Sequence, residues 1–197
     1  MKRFGIITIL IIIVLFIGYK KMNLALGEEK EEVRIFEDEI TLFEAKRIGM
    51  NKAKDFSKKN ELIYLNSVND GRVSGQDGKR GNWQGIISLL DTKQRLLFGI
   101  EKGKLNAYEI IDASEELTIK SSELKVDSDM IAKKAISKFK LRPGSKNNSF
   151  SNGYHFRILR DEKNIFLAIN GQVDGKGVEV YYNPRNGEYM GRTESGK

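Results

Sequence analysis

His155 is the single histidine among 197 residues, and the chain contains no cysteine. A Ser–His–Asp relay needs a nucleophile and an orienting carboxylate placed on either side of the imidazole, and a zinc centre needs three or four ligands. One histidine in a strand-like stretch supplies neither, so His155 reads as a packing or surface residue. Gly71, Gly75, Gly78 and Gly81 crowd one loop, and Gly78-Lys79 hints at a phosphate cradle. That motif requires a first glycine where Val73 stands and a hydroxyl residue where Arg80 stands, so it fails. Asp174-Gly175-Lys176-Gly177 fails likewise, and both stretches read as flexible turns. Asp70 and Asp77 lack the spacing and closing glutamate of a calcium loop. Glu115 and Glu116 diverge as sequence neighbours rather than forming an acid–base pair. No catalytic, cofactor or metal-ligating residue is assigned, and the chain reads as a non-enzyme.

The residues suited to binding are aromatic. Tyr181 and Tyr182 are consecutive on a strand-like run, so only one of them faces a helix. The other, beside Arg185 and followed by Tyr189, is the candidate contact for a partner. The partner-binding set is therefore Tyr181, Tyr182, Arg185 and Tyr189.

The elements that must position these residues repeat. Thr41-Leu42-Phe43-Glu44 is a capping-box pattern, and Ala45, Ile48, Ala53 and Phe56 follow near helical spacing. A second helix opens at Asp127-Ser128 and continues through Ile131, Ala135 and Phe139 until Pro143-Gly144 disfavours continuation. Ala45-Lys46-Arg47-Ile48 lines up with Ala132-Lys133-Lys134-Ala135. Strand-like runs cover 83–90, 95–100 and 104–111 after the first helix, and 154–159, 164–170 and 177–182, with Tyr189-Met190, after the second. The expected fold class is α+β, with two small units in tandem, each one helix packed on an antiparallel sheet. Residues 40–118 form the first unit, 119–126 a linker, and 127–197 the second unit.

Residues 4–19 form a 16-residue uncharged, mostly apolar run between Lys2-Arg3 and Lys20-Lys21. As a helix it covers about 24 Å of a ~30 Å hydrocarbon core, with the lysines reaching the rest. Residues 1–21 therefore read as a transmembrane anchor or uncleaved signal. The charge balance across the run does not set its direction. The short leading tail and long C-terminal region suggest a single-pass cell-membrane protein with that region extracytoplasmic. Residues 22–39 read as an acidic spacer: 28–39 hold seven acids against Lys30 and Arg34.

The formal charge of +7 is local. Residues 131–197 hold 13 cations and six anions. A basic outer domain without a recognisable nucleic-acid module favours anionic wall polymers, lipid headgroups or acidic protein faces over nucleic acid.

The second half resembles a PepSY-type domain. The helix 131–139 carries the likeness, together with Val178-Glu179-Val180-Tyr181-Tyr182-Asn183-Pro184-Arg185-Asn186-Gly187-Glu188-Tyr189. This ending is similar to the family's alternating apolar residues, Asp and Asn-Gly-Glu turn, with Asn183 in place of the Asp. The whole layout is similar to the membrane-anchored, tandem cystatin-like proteins of the TseB (YpmB) kind. The first half has no Asn-Gly-Glu turn; Asp112-Ala113-Ser114-Glu115 is its nearest counterpart. The resemblance implies a non-catalytic, extracytoplasmic module that regulates a protein partner such as a peptidase or a cell-wall synthesis enzyme. The basic last third supplies the alternative: a sensor or binder of an anionic polymer, lipid headgroup or small ligand.

Overall fold

The computed structural model describes residues 35–113, 116–145 and 152–195. Helix α1 spans Leu42–Ala53 and α2 spans Ser128–Phe139. Thr41 is extended at φ −74° and ψ 168°, and it closes the capping box. The Glu44 amide donates to Thr41 Oγ1 at 3.3 Å, and the Thr41 amide donates to Glu44 Oε2 at 2.9 Å. Asp127 caps α2, accepting from the Ser128 amide at 2.7 Å.

The two helix starts also serve each other. The Phe43 amide donates to Asp127 Oδ1 at 3.0 Å, and the Leu42 amide donates to Ser128 Oγ at 3.0 Å. One carboxylate thus sits on the free amides of two helix N-termini, where backbone dipoles favour negative charge. Asp127→Ala removes the cap of α2 and one acceptor at the start of α1, whose Thr41 capping box remains, and should lower unfolding stability by about 2 kcal/mol. Asp127→Asn, which still offers an oxygen, should lose less. A urea titration of both variants checks the order, and equal losses would mean the cap oxygen does not matter.

These caps also correct the helix alignment. Thr41 matches Asp127, so Ala45 matches Ile131 and Gly49 matches Ala135, one residue away from the alignment based on Ala45 and Ala132. Phe56 lies past the end of α1 and is exposed, with its ring 5.9 Å from that of Tyr108.

After α1 come β1 (Asn60–Ser67), β2 (Trp83–Leu89), β3 (Gln94–Glu101) and β4 (Lys104–Asp112). After α2 come β5 (His155–Arg160), β6 (Ile165–Val173), β7 (Lys176–Tyr182) and β8 (Tyr189–Glu194). All neighbours are antiparallel, in the order β4-β3-β2-β1-β5-β6-β7-β8. The fold is α+β. Each half repeats one helix followed by four strands, and the first strands of the two halves pair, Leu65 opposite Ile158 and Asn66 opposite Arg157. Both halves therefore share one sheet and one core. The segment between them is built in: Ile119 is buried and exchanges two backbone bonds with Leu62, and the amides of Lys125 and Val126 donate to the Pro184 carbonyl.

Both helices cover the same face. Leu62, Leu65, Trp83, Ile87, Leu96, Phe98, Phe156, Ile158, Leu167, Ile169, Val178 and Val180 point into it and are buried. Close approach is set by glycine: a Cβ on Gly49 of α1 would meet the Phe98 ring at 2.4 Å, and one on Gly85 of β2 would meet it at 2.5 Å. The Phe98 ring occupies the space that these two missing side chains leave.

The expectation of a transmembrane helix is corrected. Among the described residues no helix is long and apolar enough to cross a membrane. Both helices have 12 residues, about 18 Å, and both carry charged residues on their solvent sides. The run 4–19 and most of the acidic stretch lie outside the described residues.

Candidate binding face

Strand alternation leaves the second face of the sheet without a helix among the described residues. Its side chains line up in rows across the strands. One row reads Tyr64, Ile86, Leu97, Glu109. The next crosses all eight strands: Ala107, Gly99, Gln84, Asn66, Arg157, Ala168, Tyr181, Gly191. Small residues at 99, 107 and 168 leave hollows between larger ones.

In the first half the hollow is a groove of about 520 Å³ lined by Tyr64, Gln84, Ile86, Leu97, Gly99, Ala107 and Glu109. It is predominantly apolar, and Glu109 is its one charged lining residue. The chain leaving β4 borders this face: Arg95 pairs with Glu116, and the Thr118 hydroxyl donates to Glu61.

In the second half the face is polar. Arg157 grips Glu179 with two guanidinium nitrogens, the Tyr181 hydroxyl donates to the same carboxylate at 2.6 Å, and Thr193 Oγ1 lies 3.2 Å from that hydroxyl. Burial and the Glu179 carboxylate hold the Tyr181 phenol above its ordinary pKa, so it stays a donor. Phe166 meets Tyr181 edge-on at 5.8 Å. A pocket of about 260 Å³ opens here between Arg157, Asn170, Glu179 and Thr193.

The four residues singled out by sequence are not gathered in one place. Tyr181 lies on the open face. Tyr182 points the other way, is 2 % exposed, and burial pushes its phenol up to about 12. Tyr189 is exposed at the edge of the covered side, against Phe139 at 5.0 Å with the Lys138 ammonium 5.1 Å above its ring. Arg185 reaches the 3-10 turn Ser121–Glu123 and donates to Glu123 Oε1 at 2.6 Å, a carboxylate that also takes Arg160.

The glycine-rich loop does not behave as a free turn. Arg80 is 0 % exposed. Its guanidinium donates to Asp70 at 2.8 Å, Ser74 Oγ at 2.9 Å, and the carbonyls of Asn152 and Arg72 at 3.3 Å each. Ser74 Oγ in turn donates to Glu39 Oε1 at 2.6 Å, and burial raises the Glu39 pKa. Arg72 pairs with Asp38 at 2.7 Å and lies over the Phe36 ring. This network ties the start of the domain to the loop and to the entry of β5. Sequence reasoning missed it, because nothing in Lys79-Arg80-Gly81 distinguishes a buried arginine from a solvated one.

His155 belongs to the same region and is 5 % exposed. Nε2 lies 3.1 Å from the Asn152 carbonyl, which only accepts, so Nε2 carries the proton. Nδ1 lies 2.9 Å from Ser67 Oγ and accepts from it, while Ser67 Oγ accepts from the Phe156 amide at 3.0 Å. Burial, with Arg80 nearby, lowers the imidazole pKa to about 4.

No protein-family model matches the chain. No curated protein matches it either. Among solved structures, the chain is similar to a crystal structure of a "putative lipoprotein" from Clostridium difficile 630, at 11% identity and a TM-score of 0.50, over 86% of this chain and 98% of that one. At that identity the likeness concerns the fold alone. The fold class that emerges is an α+β domain of two helices on one side of an eight-stranded antiparallel sheet.

Proposed function

We propose that this is a non-catalytic, extracytoplasmic binding module that regulates a protein partner through the helix-free face of its sheet. The observation that carries this is the open face itself. Tyr64, Ile86, Leu97, Phe166 and Tyr181 are only half-buried there, in a sheet whose other face is sealed by two helices. A sheet with one apolar-patched open face is the kind of surface that takes a macromolecular partner. The PepSY-like ending and the cystatin-like tandem layout add that the partner is a peptidase or a cell-wall synthesis enzyme. On this reading each half is one such unit. The likeness in fold to a protein called a lipoprotein supports a place at a membrane surface.

The anionic-polymer alternative receives less support. Arg157, Arg160, Arg185 and Arg192, four of the cations in the basic last third, already pair with Glu179, Glu123 and Glu194.

Leu97→Glu places a charge in the apolar row and should abolish co-purification of the partner without loss of folding. Met130→Glu, at an exposed position of α2, should leave it intact. Retention of the partner by both variants would contradict the assignment of the face.

A further inference from the structure

We propose that the partner is held, at least in part, by one extended segment added antiparallel to the outer edge of β4, with a bulky apolar side chain seated over Gly99 and Ala107 and a basic side chain against Glu109. The proposal rests on the partner-binding reading and specifies how the same face is used.

Three observations meet at this edge. β4 is the terminal strand, nine residues long and mostly exposed, so one row of its N–H and C=O groups has no neighbouring strand among the described residues. Such a row is a template for another extended backbone. The groove of the open face runs out to this same edge. Gly99 and Ala107 stand opposite each other at its floor, and a Cβ built on Gly99 would meet nothing within 4 Å. The hollow is therefore empty space rather than a backbone contact. A strand laid beside β4 puts alternate side chains over this face, and the one opposite Ala107 reaches the hollow.

Charge fixes the rest. Glu109 is exposed, is the one charged group lining the groove, and forms no ion pair among the described residues. It lies two residues beyond Ala107 on the same face, so in an antiparallel partner the residue opposite it comes two positions before the apolar anchor. The preferred segment reads basic, any residue, bulky apolar. At the far edge, β8 is shorter, its pocket is lined by polar and charged residues, Arg192 pairs with Glu194, and Thr193 is tied to Tyr181, so among the described residues β8 offers no apolar groove with an unpaired charge beside it.

The test uses the full chain in detergent micelles as bait for phage-displayed random twelve-residue peptides. Enriched peptides should carry Lys or Arg two positions before a bulky apolar residue. Gly99→Trp fills the hollow in a backbone outside the left-handed region, so it should fold, yet weaken these peptides on the order of thirtyfold, the size of a lost anchor. Glu109→Lys should switch the preferred basic residue to an acidic one. Binders indifferent to both substitutions would overturn the proposal, as would concentration-dependent pairing of two copies that Gly99→Trp abolishes. Peptides that bind the open face but lose affinity with Tyr181→Ala instead would retire the β4 edge and leave the partner-binding reading standing. Failure of the partner itself to respond to Leu97→Glu would retire that reading.

Discussion

Arg80→Ala should cost about 3–5 kcal/mol of unfolding stability, enough to unfold a marginal domain near body temperature. The reason is the company that Arg80 keeps. Its guanidinium is fully out of water and answers one carboxylate, one hydroxyl and two carbonyls. Truncation leaves Asp70 with a side chain only 8% exposed and its main counter-charge removed. It also releases Ser74, the donor to the buried Glu39 carboxylate. Arg80→Met with Asp70→Asn removes both charges together and should recover much of the loss, because an apolar chain beside a neutral amide is easier to bury than a lone carboxylate. Denaturant midpoints of the single and double variants decide it. A loss below about 1 kcal/mol in Arg80→Ala would mean that the cluster is solvated and ties nothing together.

Acid should destabilise the domain earlier than carboxylate titration alone requires, and His155 is the cause. In the unfolded chain the imidazole takes a proton near its ordinary 6.5, whereas in the folded chain it does so only near about 4. Its stabilising contribution is present above pH 6.5 and is lost as pH falls toward 4, because across that window only the unfolded state binds the proton. The loss amounts to about 2 kcal/mol between pH 7.5 and 5. The geometry gives the same sign. A proton on Nδ1 would face the Ser67 hydroxyl that now donates to it, and Ser67 already accepts from the Phe156 amide. His155→Gln, which can donate to the Asn152 carbonyl and accept from Ser67, should fold and flatten stability across that pH range. An unchanged slope in His155→Gln would place the acid sensitivity elsewhere.

The helices were legible in the sequence because their signals are local: Thr41 with Glu44, Asp127, and the glycine and proline after α2. Most strands were legible for the same reason. β1 was not, and the cause is specific. A bulge between Leu62 and Tyr64 puts the buried residues Leu62 and Leu65 three apart, which breaks the period of two that marks a strand. That one missed strand joins the halves through Leu65 and Asn66, so two separate sheets were expected where one exists.

The candidate site was legible only in part. Tyr181 and Tyr182 were correctly placed on opposite faces by alternation. Which of them meets a helix depends on register with β6 and β8, information that lies far along the chain. Arg80 and His155 gave no local sign of burial, because their partners come from residues 67, 70, 72, 74 and 152.

The most direct measurement is photo-crosslinking in intact cells from two positions of the full chain, Gln84 on the open face and Arg47 on the solvent side of α1. A discrete protein adduct from Gln84 and none from Arg47 is the outcome that the open-face account predicts. Adducts from Arg47 alone, or only polymer and lipid adducts from Gln84, would contradict it.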